Sequence, residues 1–477
     1  MNYETVIGLE VHAELKTKSK IYCGCPNEFG GQTNTHCCPI CTGMPGVLPV
    51  LNKTVVDYAI KAGLAANCEI THIGKQDRKN YFYPDLPKAY QTSQYDLPIC
   101  KNGHVDITVD GVKKSIGITR IHIEEDAGKL LHEASAGVTL VDYNRCGVPL
   151  IEIVSEPDMR SADDAKAFLE TLKAILEYTE VSDCKMQEGS LRCDVNVSVR
   201  PMGQKEFGTR TEMKNVNSFR AAYRAIQYEV KRQISELEAG NEIIQETRRW
   251  DDEKGMTTSM RSKEEAHDYR YFPEPDLVAI VIDENWVNEI KKNLPELPNA
   301  RKEKYTSEYG LTEYDAEQIT LSKALSDYFQ SCVDLGATPK AVSNWILSDI
   351  SKLLNEKSLE PSEIPFGADK LAKLIALIEK GTISNTAGKK VIEALFEKER
   401  DPEEIVSELG LAQISDEGEL AKIVSGIIDA NPQSVADFKA GKDKAIGFIV
   451  GQTMRATKGK GNPQVINKLI REELLKR

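Results

Sequence analysis

The sequence of 477 residues lacks the features that mark exported and membrane-embedded proteins. Its first residues hold no basic stretch followed by an apolar run, which would indicate a secretion signal. No segment approaches the roughly 18 consecutive apolar residues that a membrane-spanning helix needs. Its 11 cysteines are an odd number in a long chain, which favours reduced thiols or a metal site over a disulfide framework. We therefore expect a cytoplasmic protein that does not contact membranes.

Two motifs common in nucleotide-binding and metal enzymes are also absent. The segment 381–389 resembles a phosphate-binding glycine loop, but six residues separate its two glycines and neither Ser nor Thr follows its lysine. It lies among helical patterns without a preceding strand, so we interpret it as a turn between helices. The HExxH pattern of zinc proteases does not occur. An ATP site in this protein would therefore be of another kind.

Positive charge is scarce overall, since the net charge is −13, but it is concentrated at one end. Residues 439–477 contain ten Lys or Arg and three Asp or Glu. Helices are predicted here over Lys444–Thr457 and after Asn462, which would cap a helix with Pro463 in its first turn. This asymmetry indicates a polyanionic partner at the basic end. A solvated helical face would have the same composition.

The periodicity of apolar residues divides the chain into a mixed half and a helical half. Val6–Leu15 and Leu191–Val199 alternate as strands do, whereas Ser161–Val181 and Asn217–Leu237 have helical periodicity. Arg248–Leu277 fits neither period, and we interpret it as an ordered loop. Strands and helices without regular βαβ alternation favour an α+β fold with a largely antiparallel sheet.

The strongest local signal is a cluster of cysteines. Two close pairs, twelve residues apart, are formed by Cys23, Cys25, Cys38 and Cys41. Such pairs on turns supply four thiolates to tetrahedral Zn²⁺, and because no coordination position stays open the zinc would be structural. His36 and Cys37 are spare, and either could replace a neighbour as ligand. The alternative, reduced cysteines within a core, is disfavoured by the polar, Gly- and Asn-rich surroundings.

Acidic residues recur on the predicted strands. Glu10 and His12 share one face of the first strand because alternate residues point the same way. If the strands form one sheet, its polar face would collect Glu10, His12, Glu124, Glu152 and Asp194, with Glu125 beside them. So many carboxylates need cations to offset their repulsion, and oxygen ligands suit Mg²⁺. Strand by strand, the same alternation fits a solvated surface; the joint occurrence, with Arg145 and Arg192 as candidate phosphate partners, favours a site.

Six segments of the sequence resemble the family of B subunits of the aspartyl/glutamyl-tRNA amidotransferases. They are IGLEVHAEL, YFYPDLPKAYQTSQ, HIEEDAGK, DYNRCGVPLIEIVSEPD, EGSLRCDVNVSVRP and EEAHDYRYFPEPDL. The resemblance extends along the whole chain. It implies a heterotrimer whose A subunit is a glutaminase that releases ammonia and whose small C subunit holds the other two together. The B subunit would use ATP and Mg²⁺ to phosphorylate the side-chain carboxylate of mischarged Glu-tRNA(Gln) or Asp-tRNA(Asn), and ammonia would displace the phosphate.

The resemblance also implies roles for individual residues. The divalent-metal positions of the kinase step fall on Glu10, His12, Glu124, Glu125, Glu152 and Asp194. The family's structural zinc motif is intact at Cys23, Cys25, Cys38 and Cys41. Candidate contacts to substrate or ATP are Lys88, Arg145 and Arg192. Binding of the tRNA body by the tail would involve Lys442, Lys444, Arg455, Lys458 and Lys460.

From pattern and resemblance together we predict three domains. An α+β catalytic domain with the largely antiparallel sheet would cover residues 1–293 and contain a zinc-binding insertion at residues 23–41. An all-α helical domain would cover residues 294–405. A small helical tail domain that binds tRNA would cover residues 406–477.

Two other functions are consistent with parts of the sequence. One is a non-catalytic zinc-ribbon subunit that binds tRNA, in which the acidic residues are solvated surface. The other is a stand-alone metal hydrolase that uses His12 and the acids, which the missing HExxH pattern disfavours. The sequence also lacks an activated nucleophile for glutamine, because Cys146 and Cys193 lie beside acids that raise a thiol pKa. It does not distinguish Glu-tRNA(Gln) from Asp-tRNA(Asn) as substrate.

Overall fold

The computed structural model describes residues 2–133, 137–262, 268–414, 417–439, 444–457 and 460–476. The chain divides into two compact units, Met1–Ala300 and Arg301–Arg477. The strands lie in the first unit. They are β1 (Tyr3–Glu14), β2 (Glu69–Ile70), β3 (Ile73–Gly74), β4 (Asp77–Asn80), β5 (Tyr90–Ser93), β6 (Cys100–Val109), β7 (Val112–Glu125), β8 (Lys129–Glu133), β9 (Val138–Asp142), β10 (Pro149–Ser155), β11 (Leu191–Pro201), β12 (Thr211–Val216), β13 (Glu246–Asp251), β14 (Met256–Ser262), β15 (Phe272–Pro273) and β16 (Ile280–Val281).

A nine-stranded sheet organises the first unit, in the order β14-β13-β12-β11-β1-β10-β7-β6-β2. Every described pair in it is antiparallel except β12 with β13. Smaller sheets join β15, β4 and β5, then β16 with β3, and β8 with β9. The helices of this unit are α1 (Lys53–Ala65), α2 (Ala162–Tyr178), α3 (Phe219–Glu238) and α4 (Glu284–Lys292). The predicted α+β fold with a largely antiparallel sheet is confirmed.

β1 runs through the sheet between β10 and β11 and presents two chemically different faces. Ile7, Leu9 and Val11 are almost fully buried, and they belong to a core that also contains the apolar stripe of α2. α1, α2 and α3 pack against strands of this sheet. Because successive strand residues point to opposite faces, Glu10 and His12 are turned away from that core.

The two predicted helices of this unit are confirmed to within a few residues at their ends. Each begins where a serine side chain accepts a hydrogen bond from a backbone amide of the first turn. Ser161 accepts from the amide of Asp164 at 3.0 Å, and Ser218 accepts from that of Ala221 at 3.0 Å. These caps satisfy amides that have no carbonyl partner within the helix.

The prediction that Arg248–Leu277 is a loop was wrong for its first part. β13 and β14 pair antiparallel and extend the large sheet at its edge. Their side chains are largely polar, so apolar alternation gives no strand signal; Trp250 is an exception, with 1% of its surface exposed. Arg248 instead donates to the hydroxyl of Thr257 on the paired strand at 2.8 Å. Part of the segment, residues 263–267, lies outside the described residues.

The second unit is helical. Helix α5 (Pro298–Ser307) spans the boundary between the two units. The helices that follow it are α6 (Glu313–Thr320), α7 (Lys323–Asp334), α8 (Pro339–Trp345), α9 (Ser351–Lys357), α10 (Ala368–Glu379), α11 (Asn385–Glu397), α12 (Pro402–Glu408), α13 (Glu417–Asp429), α14 (Pro432–Lys439), α15 (Lys444–Ala456) and α16 (Pro463–Lys476). Residues 346–350 form a π-helical turn between α8 and α9. One cluster of buried apolar residues lies within α5–α12 and another within α13–α16. None of the described helices is long and apolar enough to cross a bilayer.

Two local predictions in this unit are confirmed. The glycine-rich segment 381–389 contains the turn between α10 and α11, and its residues from Asn385 onward begin α11. Ser384 caps α11 by accepting from the amide of Ala387 at 3.2 Å. Gly381 has a φ of +70°, which suits glycine at a helix end. Asn462 caps α16, since its side-chain oxygen accepts from the amide of Gln464 at 3.0 Å.

A buried carboxylate joins α3 to the outer strands of the large sheet. Glu229 is fully buried and accepts hydrogen bonds from Thr211 at 2.8 Å, Thr257 at 3.1 Å and Arg232 at 2.6 Å. Burial alone would raise its pKa, but the bonds from Arg232 and neighbouring side chains lower the pKa overall. The charge is therefore kept and fully paired in the folded state.

Replacing Glu229 by Gln should destabilise the first unit by about 3 kcal/mol, because Arg232 and Arg248 would lose a buried partner. Urea unfolding, followed by amide hydrogen exchange on β12–β14, would measure this. The exposed Glu238 at the end of the same helix is a matched control, and its change to Gln should alter stability by less than about 0.5 kcal/mol. Equal effects of the two variants would contradict the assignment of Glu229 as a structural anchor.

Candidate active site and cysteine centre

The polar face of the large sheet opens into a cavity of about 500 Å³, here called the acid cavity. Strand register determines which side chains line it. On β1, Glu10 lies opposite Asp194 of β11, and His12 lies opposite Glu152 of β10. On β7, His122 lies opposite Glu152. Antiparallel pairs of this kind place opposed side chains on the same face.

Two groups of three side chains within this face have the composition of cation sites. The histidine triad consists of His12, Glu124 and Glu152, and the carboxylate triad consists of Glu10, Asp194 and Glu212. In each triad the ligand atoms all lie within 4.8 Å of one another. Carboxylate oxygens with an imidazole nitrogen form a donor set that fits a divalent cation.

A second imidazole, that of His122, lies beside the histidine triad and contacts its two carboxylates. His12 Nε2 lies 3.4 Å from Glu124 and 3.3 Å from Glu152. His122 Nε2 lies 3.5 Å and 3.4 Å from the same two carboxylates. Burial alone would lower the pKa of His122, but the charge of Glu152 and the bonds to Glu124 and Glu152 raise the pKa to about 9. His122 therefore offsets the charge of the two buried carboxylates.

The carboxylate triad is held by an amide and a lysine. Asn196 donates to Glu10 at 3.0 Å, and Lys214 contacts both Asp194 and Glu212. Burial, followed by the charge of Glu152, raises the pKa of Glu10. A bound cation would relieve this repulsion, as the donor set suggests.

Glu125 does not join the other acids. As the neighbour of Glu124 on β7, it points to the opposite face of the strand. There it forms an ion pair with Lys88 and accepts a hydrogen bond from the amide of Thr92 at 2.9 Å. Lys88 and Glu125 line a separate cavity of about 170 Å³ together with Cys41. The expected convergence of Glu125 with the other five residues is not observed.

The two arginines expected near phosphate both contact Asp126. Arg192 donates to both of its carboxylate oxygens. Arg145 lies 3.6 Å from it and donates to the carbonyls of Ala127 at 2.9 Å and Gly128 at 2.7 Å. Neither arginine lines the acid cavity. Both orient the loop after β7.

Sequence reasoning missed several cavity residues. They are Lys79, Arg120, His122, Arg210, Glu212 and Lys214. His122 stands two residues before Glu124 in a strand pattern, so strict alternation selects it in place of Glu125. Glu212 and Lys214 likewise alternate on β12, a strand too polar to stand out. The remaining three carry no pattern that separates them from ordinary surface cations.

The four predicted zinc ligands meet at one place. The sulfur atoms of Cys23, Cys25, Cys38 and Cys41 all lie within 4.8 Å of one another. The Cys38 amide donates to the Cys41 sulfur at 3.1 Å. The Cys37 thiol instead points to the carbonyl of Asn34 at 3.3 Å and is not part of the group. The geometry and the sulfur donor set fit tetrahedral Zn²⁺.

A buried lysine stands beside these thiols. Lys20 has 0% of its surface exposed, and its ammonium lies 4.0 Å from the Cys41 sulfur and 2.6 Å from the carbonyl oxygen of His36. The pKa of Cys41 falls to about 5 through the hydrogen bond from Cys23, against the effect of burial, and the charge of Lys20 contributes to the fall by a smaller amount. Four thiolates around one Zn²⁺ carry a net charge of about −2, which Lys20 partly offsets.

Comparison with known proteins identifies the family of this chain. Residues 5–288 match the GatB/GatE catalytic domain, and residues 327–474 match the GatB domain. The chain belongs to the GatB/GatE family. The B subunit of an aspartyl/glutamyl-tRNA(Asn/Gln) amidotransferase from Caldicellulosiruptor bescii is 64% identical, with 100% of each chain covered. Proteins of the same name from Thermoanaerobacter sp. (strain X514) and Halalkalibacterium halodurans are 61% and 58% identical, again with full coverage of both chains.

The GatB domain includes the basic end of the chain, of which part is described. Arg455 on α15 and Lys460 before α16 are exposed. Lys442 and Lys458 lie outside the described residues, as does the side chain of Lys444. The predicted role of these five residues in tRNA binding stays a prediction.

Proposed function

We propose that this chain amidates a mischarged aminoacyl-tRNA, Glu-tRNA(Gln) or Asp-tRNA(Asn), with ATP and ammonia. The observation that carries the proposal is the pair of triads side by side on one face of the sheet, where every member except Glu124 lines the acid cavity. Membership of the GatB/GatE family and the shared name of its relatives support the same reaction. The reaction is that of a carbon–nitrogen ligase.

The chemistry explains why such a cavity is needed. A carboxylate is a poor electrophile because oxide would have to leave. Transfer of the γ-phosphoryl group of ATP to a carboxylate oxygen gives an acyl phosphate and ADP. Ammonia then attacks the carbonyl carbon, the bond to the phosphate oxygen breaks, and one proton is lost as the amide forms. The first step brings two anions together, so their charge has to be offset. In the second step water has to be excluded, because it would hydrolyse the acyl phosphate before ammonia attacks.

Side chains of the acid cavity meet these needs. The two triads would hold Mg²⁺, which when bound offsets charge on the phosphoryl oxygens and aligns the reacting groups. Lys79, Lys214 and Arg210 line the same cavity and place fixed positive charge beside the triads. His12 and His122 keep Glu124 and Glu152 oriented through contacts of 3.3–3.5 Å. Positively charged and acidic side chains thus both surround the space where ATP and the substrate carboxylate would meet.

We further propose that ammonia comes from other subunits, a glutaminase A subunit and a small C subunit. Glutamine hydrolysis needs an activated nucleophile. Cys146 and Cys193 are 2% and 3% exposed, and burial raises the pKa of each thiol to about 12. The thiolate of either residue is therefore scarce at neutral pH. The basic tail would hold the tRNA body through its phosphates.

The amidation assay tests the function directly. The full chain, supplied with ATP, Mg²⁺ and ammonium salt, should convert charged tRNA to the amidated form, which chromatography of the released amino acid detects. Glutamine should support the reaction only after the A and C subunits are added. Glu-tRNA(Gln) and Asp-tRNA(Asn), assayed in parallel, identify the substrate. If tRNA binds but no ATP-dependent amide forms with either, the non-catalytic tRNA-binding function replaces this one.

The histidine triad makes a separate prediction. Glu152→Gln should lower the rate of ADP formation with charged tRNA by about 100-fold or more, because a ligand that positions the cation is lost. The same variant should weaken Mn²⁺ binding, measured by electron paramagnetic resonance. Glu125→Gln is the matched control, since Glu125 faces away from the acid cavity, and it should leave Mn²⁺ binding unchanged. Equal Mn²⁺ affinity in the two variants would contradict the assignment.

The cysteine centre predicts one zinc per chain. Cys38→Ser should release the metal or loosen it strongly, whereas Cys37→Ser should retain it, because the Cys37 thiol points away from the group. Lys20→Met should retain the stoichiometry but lose zinc to a chelator about tenfold faster, since a nearby charge that offsets the thiolates is gone. Atomic spectroscopy and chelator competition provide the measurements. Retention of zinc by Cys38→Ser, or its loss from Cys37→Ser, would refute the ligand set.

A further inference from the structure

β7 changes part-way along its length which of its side chains face the core. Ile116 and Ile118 are buried in the core in its first half, and Ile121 and Ile123 are buried there in its second half. Alternate residues of a regular strand point the same way, so even-numbered and odd-numbered residues share one face only if an irregularity lies between them. The burial of these isoleucines therefore requires a shift of one residue in the middle of β7.

The shift is a β-bulge where β7 pairs with β10. Arg120 of β7 lies opposite Val154 of β10. Ser155, the next residue of β10, lies opposite Ile118, so that Thr119 is an extra residue in β7. A bulge of this kind changes the direction of the side chains beside it. The second half of β7 is thereby turned so that its even-numbered side chains, which include an imidazole and a carboxylate, point away from the core.

The neighbouring strand β6 has a matching irregularity. Its pairing with β7 keeps one register, with Lys101 opposite Arg120 and Gly103 opposite Ile118. Asn102, between them, has a φ of +54°, which is uncommon for a residue other than glycine. At Gly103 a Cβ atom would lie 2.2 Å from the sulfur of a buried cysteine, so this position has no room for a side chain. The two strands therefore change phase together, at the same level of the sheet.

The segment after β10 closes over the bulge. The hydroxyl of Thr119 donates to the carboxylate of Glu156 at 2.7 Å, and the amide of Gly117 donates to that of Asp158 at 3.0 Å. The amide of Glu156 also donates to the carbonyl of Gly117 at 2.8 Å. Glu156 and Asp158 are exposed, and neither lines the acid cavity. These two carboxylates thus hold the bulge from outside the cavity.

The bulge adjoins the histidine triad through two cavity residues. Arg120 lines the acid cavity, and its guanidinium lies 4.0 Å from the carboxylate of Glu152. His122 follows two residues later and contacts Glu124 and Glu152. A movement of the bulge would therefore displace a guanidinium and an imidazole that both lie beside Glu152.

We propose that Thr119 is a positioning residue for the histidine triad, acting through the bulge that it holds together with Glu156. The inference deepens the proposed function, on which it rests, because it names a residue outside the acid cavity that sets the geometry within it. Metal sites lose affinity when the groups that orient their ligands are removed. Thr119 acts in this way through the backbone, since Arg120 and His122 belong to the same strand.

Variants of the full chain test this role. Thr119→Val removes the hydroxyl but keeps the branched shape, and Thr119→Ser keeps the hydroxyl. Thr119→Val should weaken Mn²⁺ binding, measured by electron paramagnetic resonance, and lower kcat for ADP formation, each by about fivefold or more. Its KM for charged tRNA should stay within about twofold, and Thr119→Ser should restore both affected values to within about twofold of the unaltered chain.

The partner carboxylate gives a second test. Glu156→Ala, at an exposed residue, should reproduce the losses of Thr119→Val, and it replaces that variant if Thr119→Val does not fold. Because the two side chains form one hydrogen bond, the double variant should lose no more than either single variant. Additive losses in the double variant would contradict action through this bond.

Thr108→Val is the matched control, since Thr108 lies opposite Lys113 near the other end of the β6–β7 pair. It should leave Mn²⁺ affinity and kcat unchanged. Unchanged values in the folded Thr119→Val and Glu156→Ala variants would overturn the proposal, even if urea unfolding shows lower stability, because the role would then be structural only. An equal loss in Thr119→Ser would also overturn it. Failure of the proposed function differs, because there the unaltered chain itself forms no amide.

Discussion

The alternation of apolar and polar side chains along β1 is the constraint on which the rest of the first unit depends. Leu9, Val11 and Ala13 of this strand are apolar and almost fully buried, and Glu10, His12 and Glu14 alternate with them. Pairing with β10 and β11 extends the same division across the sheet, because a shift of one residue would move the carboxylates into the core. The free energy of burying Ile7, Leu9 and Val11 therefore also holds Glu10 and His12 at the acid cavity. Folding and the placement of the acidic side chains are two results of one register.

Part of this arrangement could be predicted without the structure. The sequences of β1 and β11 alternate clearly between branched apolar residues and polar residues. This pattern predicts both strands and the face on which their polar side chains lie. On β7 the run of consecutive acids favoured Glu125, whereas strict alternation selects His122. β12 and β13 could not be predicted, because their side chains are largely polar and leave little apolar pattern. Glu212 pairs with Lys214, and Arg248 pairs with Glu246. Lys79 and Tyr269 were beyond reach, because their proximity depends on the pairing of β4 with β15.

Buried carboxylates in the first unit are stabilised in two different ways. At Glu229 every hydrogen bond is made within the protein, so the carboxylate is satisfied without any ligand. In the acid cavity, burial and then the charge of Glu152 raise the pKa of Glu10, and nearby imidazoles and Lys214 only partly offset the carboxylates. The first arrangement is typical of structural anchoring, and the second is typical of a site that receives cations and anions. Lys20 lies between these two arrangements: its buried ammonium contacts the protein through Cys41, and it stands beside four thiols that could hold a metal ion.

The pairing of β4 with β15 has a consequence for synthesis of the protein. A ribosome adds residues in order, and Asn80 of β4 emerges long before Tyr269, the residue that it contacts nearly two hundred positions later. The strands that carry the two triads are similarly spread, since β1 pairs with β10 and β11 across much of the unit. The acid cavity therefore cannot be complete on a nascent chain that stops before Tyr271. A truncated product released early would carry exposed strands without a complete acid cavity and would be prone to aggregation.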